Sequence, residues 1–410
     1  MIRSLSATLF LAVAATLGAQ PTSSTPYTLY VSSESGDVVS RIEVGPTGWR
    51  KVKEISVKLI ANELSAPHNV AVSPDGRFWY VSIAHGTPFG SVWKYATGTD
   101  SLLGRVRVGM FPTTIALSPD GDWAYVPNSD FHGDRGRENT ISVVYTPDFS
   151  SLTEIRACDM PHGSRWNFRG NRVYIACMMS DELLTIDPGA FSVSARVALG
   201  SGNPMSMAEH MKLETREDSA LAAAARQSAA ARPARDTSGG HAGHATPAAK
   251  PKTGAASSTM AGQNPDCLTT FVAVAPGDSL VYVACNHSNE LQVRDARTLA
   301  LVRRLPTGNG AYNVEPSPDG RLVLVTNKKD KSVSVFDTRS WKEVARVPTS
   351  KRIPHGIAFS PDGRYAFVTC ESVGTDPGAI DAIDLTSFRV VATLPLALQP
   401  TGVAVWKGAN

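Results

Sequence analysis

From about residue 67 the chain repeats one pattern of apolar and polar positions. In residues 311–370 the runs LVLVTN, SVSVFD, EVARVP and YAFVTC alternate apolar and polar positions, or are apolar throughout. This is the pattern of short strands with one or both faces buried. The tetrapeptide SPDG at 317–320 returns at 360–363, so four strands fit into a period of about 43 residues, as in a propeller blade. Asp-Gly suits a tight hairpin, because Gly takes positive φ freely and the preceding Pro pre-sets the turn. SPDG is therefore read as the turn joining strand a, the innermost, to strand b.

With SPDG as phase marker the other units align. It recurs at 73–76 and 118–121, degrades to NFRG at 167–170, and becomes APGD at 275–278. These make six blades from residue 67 to about 397. Residues 27–58 carry strands b, c and d of a seventh without strand a, and PTGVAV at 400–405 is a strand a without a blade. The expected fold is all-β: a seven-bladed β-propeller of four-stranded antiparallel blades over 27–410. The C-terminal strand joins the N-terminal blade, which leaves no open edge at the closure.

Two segments break the pattern. Residues 1–19 have one basic residue, Arg3, then an apolar run and a small-residue end, as in a secretory signal peptide. The chain is expected to be periplasmic or secreted. Residues 206–265 are rich in Ala, Ser, Gly and Pro and are expected to be a disordered insertion between blades four and five. Its first part, about 206–231, could form an isolated helix.

Net charge is +3 with both signs interspersed, which gives no reason to expect nucleic acid as a partner. No later run is long enough for a membrane span, and a monomer is expected. Five Cys permit two disulfides with one left over. The pairing is open: Cys177 with Cys285, or Cys267 with either, with Cys370 as the odd one out.

Counting five residues back from the Ser of each SPDG, or its equivalent, gives the ring His68, Thr113, His162, Thr270, Tyr312, His355 and Thr401. In evenly spaced blades its three His lie about 103°, 154° and 103° apart at the channel mouth. Strand order puts every His and Cys on one face, the top, which carries the b–c loops and the d–a connections. His85, His132 and His287 lie in b–c loops and are possible additional ligands. Met205, just before the insertion, and Met207, His210, Met211, His241 and His244 within it add thioether and imidazole donors. Three convergent imidazoles suit a transition metal, and Met with His favours copper, with zinc as the other choice. Thr113, Thr270, Tyr312 and Thr401 would line the mouth as ligand-binding residues. The plainer alternative is a polar, water-filled channel.

The phrase PHGIAFSPDGRYAFVT at 354–369, with YVS, YVP, YIA, YVA, VLVTN and FVT elsewhere, resembles the YVTN-family β-propeller repeat, the YncE-like group. The resemblance covers nearly all of the chain after residue 19 except 206–265. It implies a seven-bladed exported propeller and is nearly silent on activity. Two groups of similar architecture carry chemistry. Lactonases of the 6-phosphogluconolactonase type are suggested by Pro-His at 67–68, 161–162 and 354–355. The propeller of nitrous oxide reductase holds copper with channel-mouth histidines, but only three of seven ring positions here are His. Lactone hydrolysis needs a base and an electrophilic stabiliser, for which Glu371, Asp376, Glu315 and Arg165 are candidates on the top face. There is no G-x-S-x-G elbow, phosphate-binding Gly loop or CxxCH haem site.

The expectation is a binding protein for a metal ion or small ligand at the mouth. A lactonase-like hydrolase is the alternative. A third reading is a scaffold for an exported partner protein, met by 206–265 or by the loops NSDFHGDRGREN and ESVGTDPGAI.

Overall fold

The computed structural model describes residues 20–85, 89–130, 139–200 and 266–408. Seven four-stranded antiparallel sheets make up the described fold, and the described residues contain no helix. Blade one consists of Pro400–Trp406, Tyr27–Ser33, Val38–Gly45 and Gly48–Ser56, so the C-terminal strand completes the N-terminal blade. Blades two to seven begin with strands a at Pro67–Val72, Ala116–Leu117, Pro161–Trp166, Thr269–Val274, Ala311–Pro316 and Pro354–Phe359.

The burial pattern explains why these residues form sheets. Strand b is nearly continuous in apolar residues because both its faces meet neighbouring blades, as in the wholly buried Tyr365–Cys370. Strand d lies outermost and keeps Leu103, Leu152 and Val302 about half exposed. The cores lie between blades: Tyr125 and Ile141 of blade three pack with Trp166, Val173 and Leu184 of blade four. Between blades one and two the rings of Tyr30, Trp79 and Tyr95 stack at 4.9 and 4.0 Å.

SPDG is the a–b turn in each blade that carries it. The Gly76 N–H donates to the Ser73 carbonyl at 2.8 Å with Gly76 at φ 72°, and Gly320 repeats both features. In APGD, Asp278 takes the left-handed position at φ 60°. This hairpin fixes the register of strand a, so the count of five back from its Ser lands on one geometric ring.

The disulfides are Cys158–Cys177 and Cys267–Cys285, and Cys370 is free and buried. A Cys177–Cys285 bridge is therefore wrong, while Cys267 with Cys285 and the odd Cys370 hold. The reason is local: Pro161 pairs with Cys177 and Thr269 with Cys285, so a Cys entering strand a faces the end of strand b in its own blade. Each pair spans 18 or 19 residues, and the matching position before Cys370 is Lys351 or Arg352.

Residues 1–19 and the insertion 206–265 lie outside the described residues. Gly200 and Asp266, which flank the gap, lie side by side. No helix among the described residues is long and apolar enough to cross a membrane.

Candidate functional site

All seven ring residues are buried, and their backbones are joined by one repeated device. The carbonyl of each ring residue accepts a hydrogen bond from a side chain of the preceding blade. The Ser or Thr of strand b supplies it without a ring threonine in three cases: Ser82 to Thr113, Thr326 to His355, and Thr369 to Thr401, at 2.7, 3.3 and 2.7 Å. Ring threonines supply it in three more: Thr113 to His162, Thr270 to Tyr312, and Thr401 to His68. Blade four has Ala176 where blades one, two, six and seven have Ser32, Ser82, Thr326 and Thr369, and there the His162 Nδ1 donates to the Thr270 carbonyl at 3.0 Å. The hydroxyls of Thr113, Thr270 and Thr401 thus clasp neighbouring blades. This corrects the expectation that all seven ring side chains face a ligand.

Gly356 follows His355 because strand a there runs against the next blade. A Cβ at this position would meet the Thr401 carbonyl oxygen at 2.4 Å.

The remaining ring side chains converge. The His68 centroid lies 5.5 Å from His162 and 5.8 Å from His355, both edge to face. Tyr312 lies 4.6 Å from His355, and its hydroxyl is 3.4 Å from the His162 Nε2. Phe271 fills the space between, 5.1 Å from His162 and 5.4 Å from Tyr312. Burial holds the His162 pKa down at about 3, and it lowers His355 well below the ordinary imidazole value. Both rings are therefore neutral near pH 7, so no proton competes for their lone pairs. The His162 tautomer follows from its Nδ1–H donation to Thr270, which leaves Nε2 as acceptor.

A second layer lies over the ring, supplied by the residue after strand b. The N–H of that residue bonds the carbonyl two residues before the ring position in each blade, as Glu34 to Gln399 (2.8 Å), Lys328 to Gly310 (2.8 Å) and Glu371 to Ile353 (3.0 Å). The accepting residues Ala66, Phe111, Met160, Leu268, Gly310, Ile353 and Gln399 all have positive φ, an unfavourable geometry for the six that are not Gly. Three side chains of this layer carry charge. Glu34 Oε2 is 2.9 Å from the His68 Nδ1. Glu371 Oε1 is 2.9 Å from Lys328 Nζ and 3.8 Å from the His355 Nε2. Burial raises the Glu371 pKa, against the pull of Lys328. The His68 Nε2 is buried without a hydrogen-bond partner among the described residues.

Glu34 and Lys328 were not picked out by the sequence reading, and Glu371 only as a possible partner for lactone chemistry. The signal was there: counting eleven residues forward from the SPDG Ser gives Lys328 from Ser317 and Glu371 from Ser360.

Other expected residues lie elsewhere. Arg165 and Glu315 are not on the top face. They sit three residues further along strand a and bond to each other across the channel below the ring. The other five blades have Ala at that position: Ala71, Ala116, Ala273, Ala358 and Ala404. Asp376 is an exposed partner of Lys351 at 3.0 Å. His85 packs on the far side of Phe111, which separates it from His68. His287 is exposed on the b–c turn of blade five. His132, Met205 and the five named Met and His of the insertion lie outside the described residues. Among the described residues, no three His, Cys, Asp or Glu are placed to hold a metal without side-chain movement. A separate cleft of about 500 Å³ opens near the blade-one closure between Tyr27, Trp49 and Trp406, away from the histidines.

Comparison with known proteins adds fold more than chemistry. Residues 317–408 match the model of the cytochrome D1 heme domain family. No curated protein matches the chain in sequence. Among solved structures, the Pseudomonas aeruginosa periplasmic gluconolactonase is similar at TM-score 0.63 and 16% identity, over 94% of this chain and 100% of that one. Kuenenia stuttgartiensis hydrazine synthase is similar at TM-score 0.58 and 17% identity, over 85% and 92%. The dihydro-heme d1 dehydrogenase NirN, in complex with DHE, is similar at TM-score 0.55 and 16% identity, over 95% and 78%. The haem implied by the matched family does not fit the ring. His68, His162, Phe271, Tyr312 and His355 touch one another at centroid distances of 4.6–6.0 Å, which leaves no slot for a flat macrocycle among them.

Proposed function

We propose that this chain is an exported binding propeller of YVTN type that takes a transition-metal ion of the copper or zinc class at its top mouth. The ligands are His68, His162 and His355. The observation that supports this reading is the spacing of the three imidazoles, with His68 at 5.5 and 5.8 Å from the other two. Two imidazoles sharing a metal at about 2.0–2.1 Å hold their ring centroids about 5–6 Å apart, so each of the two spacings from His68 matches that of a shared ion. The carboxylate on the His68 Nδ1 and the carbonyl on the His162 Nδ1 are the outer partners that orient metal-binding imidazoles. Two disulfides agree with an oxidising compartment.

The test is elemental analysis of untagged, exported protein against a triple variant, His68→Ala, His162→Ala and His355→Ala. Near-stoichiometric copper or zinc, lost in the variant, is the expected result. Wild-type protein without metal after reconstitution would end this reading.

A second reading, a lactonase-like hydrolase, is favoured by Glu34, Glu371 and Lys328 standing over the same imidazoles. It is also favoured by likeness to a protein described as a gluconolactonase. Turnover of a sugar lactone that is lost in Glu371→Gln would support it.

A further inference from the structure

The three imidazoles are not equally prepared. His68 has its carboxylate, Glu34, at 2.9 Å, and His162 has its carbonyl at 3.0 Å. The carboxylate nearest His355 is Glu371, but its Oε1 stands 3.8 Å from the His355 Nε2 and 2.9 Å from Lys328. The same ammonium lies 3.5 Å over the Tyr312 ring, where the π face attracts a cation. The Gln399 amide donates to the other Glu371 oxygen at 3.4 Å. A tethered cation therefore occupies the acidic corner of the mouth, between the carboxylate and the aromatic face. It comes from blade six, while the carboxylate it holds belongs to blade seven beside His355.

Resting on the metal reading above, we propose that Lys328 is a built-in competitor for the cation this mouth binds. While its ammonium holds Glu371, that carboxylate serves neither His355 nor an incoming ion. The described contacts are those of the Lys328-engaged state, in which no three donors meet. A divalent ion binds by displacing Lys328, which swings toward the open top face, and Glu371 then turns to the ion or to His355. The displacement sets the affinity: two cations cannot share the corner, because like charges a few ångströms apart repel strongly in a partly desolvated site. The mouth is thereby tuned to release its metal more readily than three imidazoles and a free carboxylate would.

The experiment measures Zn(II), and separately Cu(II), affinity of the full oxidised chain by competition with a chromophoric chelator. Wild type, Lys328→Met, Glu371→Gln and the double variant are compared. Freeing an outer partner is worth about 10–100-fold in metal affinity, so Lys328→Met should bind that much more tightly. The gain should vanish in the Glu371→Gln background. Lys328→Gln, with a polar head, guards against a packing defect in the Met variant, and melting curves check the fold of each. If wild type binds metal and Lys328→Met binds equally or more weakly, the competitor role is refuted and the metal site stands. If the gain persists undiminished without Glu371, general electrostatics explains it and the proposal also fails. If no variant binds metal, the metal site itself falls and the competitor with it.

Discussion

Thr270→Val tests whether the seven-fold clasp is a stabilising device. Thr270 is 1% exposed, and its hydroxyl donates to the Tyr312 carbonyl of the next blade. Valine keeps the shape and removes the donor. Removing the short donor from a buried acceptor costs about 1–3 kcal/mol. Thr401→Val is the internal control. Thr401 donates to the His68 carbonyl at 2.6 Å, but Ser32 donates to the same oxygen at 3.1 Å. The carbonyl stays satisfied there, so the loss should be that of one ordinary hydrogen bond, about 0.5–1.5 kcal/mol. Urea unfolding of the oxidised protein, followed by tryptophan fluorescence, reads the difference as a shift in midpoint at constant slope. The reasoning is refuted if Thr270→Val costs no more than Thr401→Val.

Two further outcomes follow from the same geometry. The His162 pKa is about 3 in the fold, below its unfolded value near 6.5, so the unfolded chain takes up a proton that the fold refuses. Stability of the metal-free protein should fall as pH drops from about 6.5 toward 3 and should not depend on this group above that window. His162→Gln should flatten the dependence in urea midpoints at pH 7.5, 5.5 and 4.5, and an unchanged dependence would remove His162 as its source. Mass mapping of non-reduced peptides should find 158–177 and 267–285 linked, with one thiol, Cys370, reacting only after denaturation; a 177–285 peptide would contradict the within-blade rule.

The fold was legible because its determinants are local. SPDG fixes a turn, the turn fixes the register of two strands, and the alternation beside it says which faces are buried. The same locality made the ring countable: His68, His162 and His355 come from blades two, four and seven, yet each stands five residues before a hairpin Ser or its equivalent. The within-blade disulfides were also encoded, as equal spacings of 18 and 19 residues. They compete in sequence with pairings between adjacent blades, because strands b of neighbouring blades also end close in space, whereas strands a and b are neighbours in one sheet.

The direction of side chains at the ring was not legible, because it depends on the next blade. A threonine at the ring looks in sequence like a channel-lining hydroxyl. In the fold the nearest unpaired acceptor is the carbonyl of the following strand a, and the hydroxyl turns to it. The strand-b motif shows the same logic, since its Ser or Thr at Ser82, Thr326 and Thr369 reaches across to the next blade. Where blade four has Ala176 instead, His162 donates through Nδ1, which fixes its tautomer and directs Nε2 toward Tyr312. The chemistry of the mouth is thus partly a consequence of how the ring is clasped. A substitution in strand b of blade four that restored a hydroxyl, Ala176→Thr, would offer the Thr270 carbonyl a second donor. It would free His162 to rotate, without touching any residue that faces the channel.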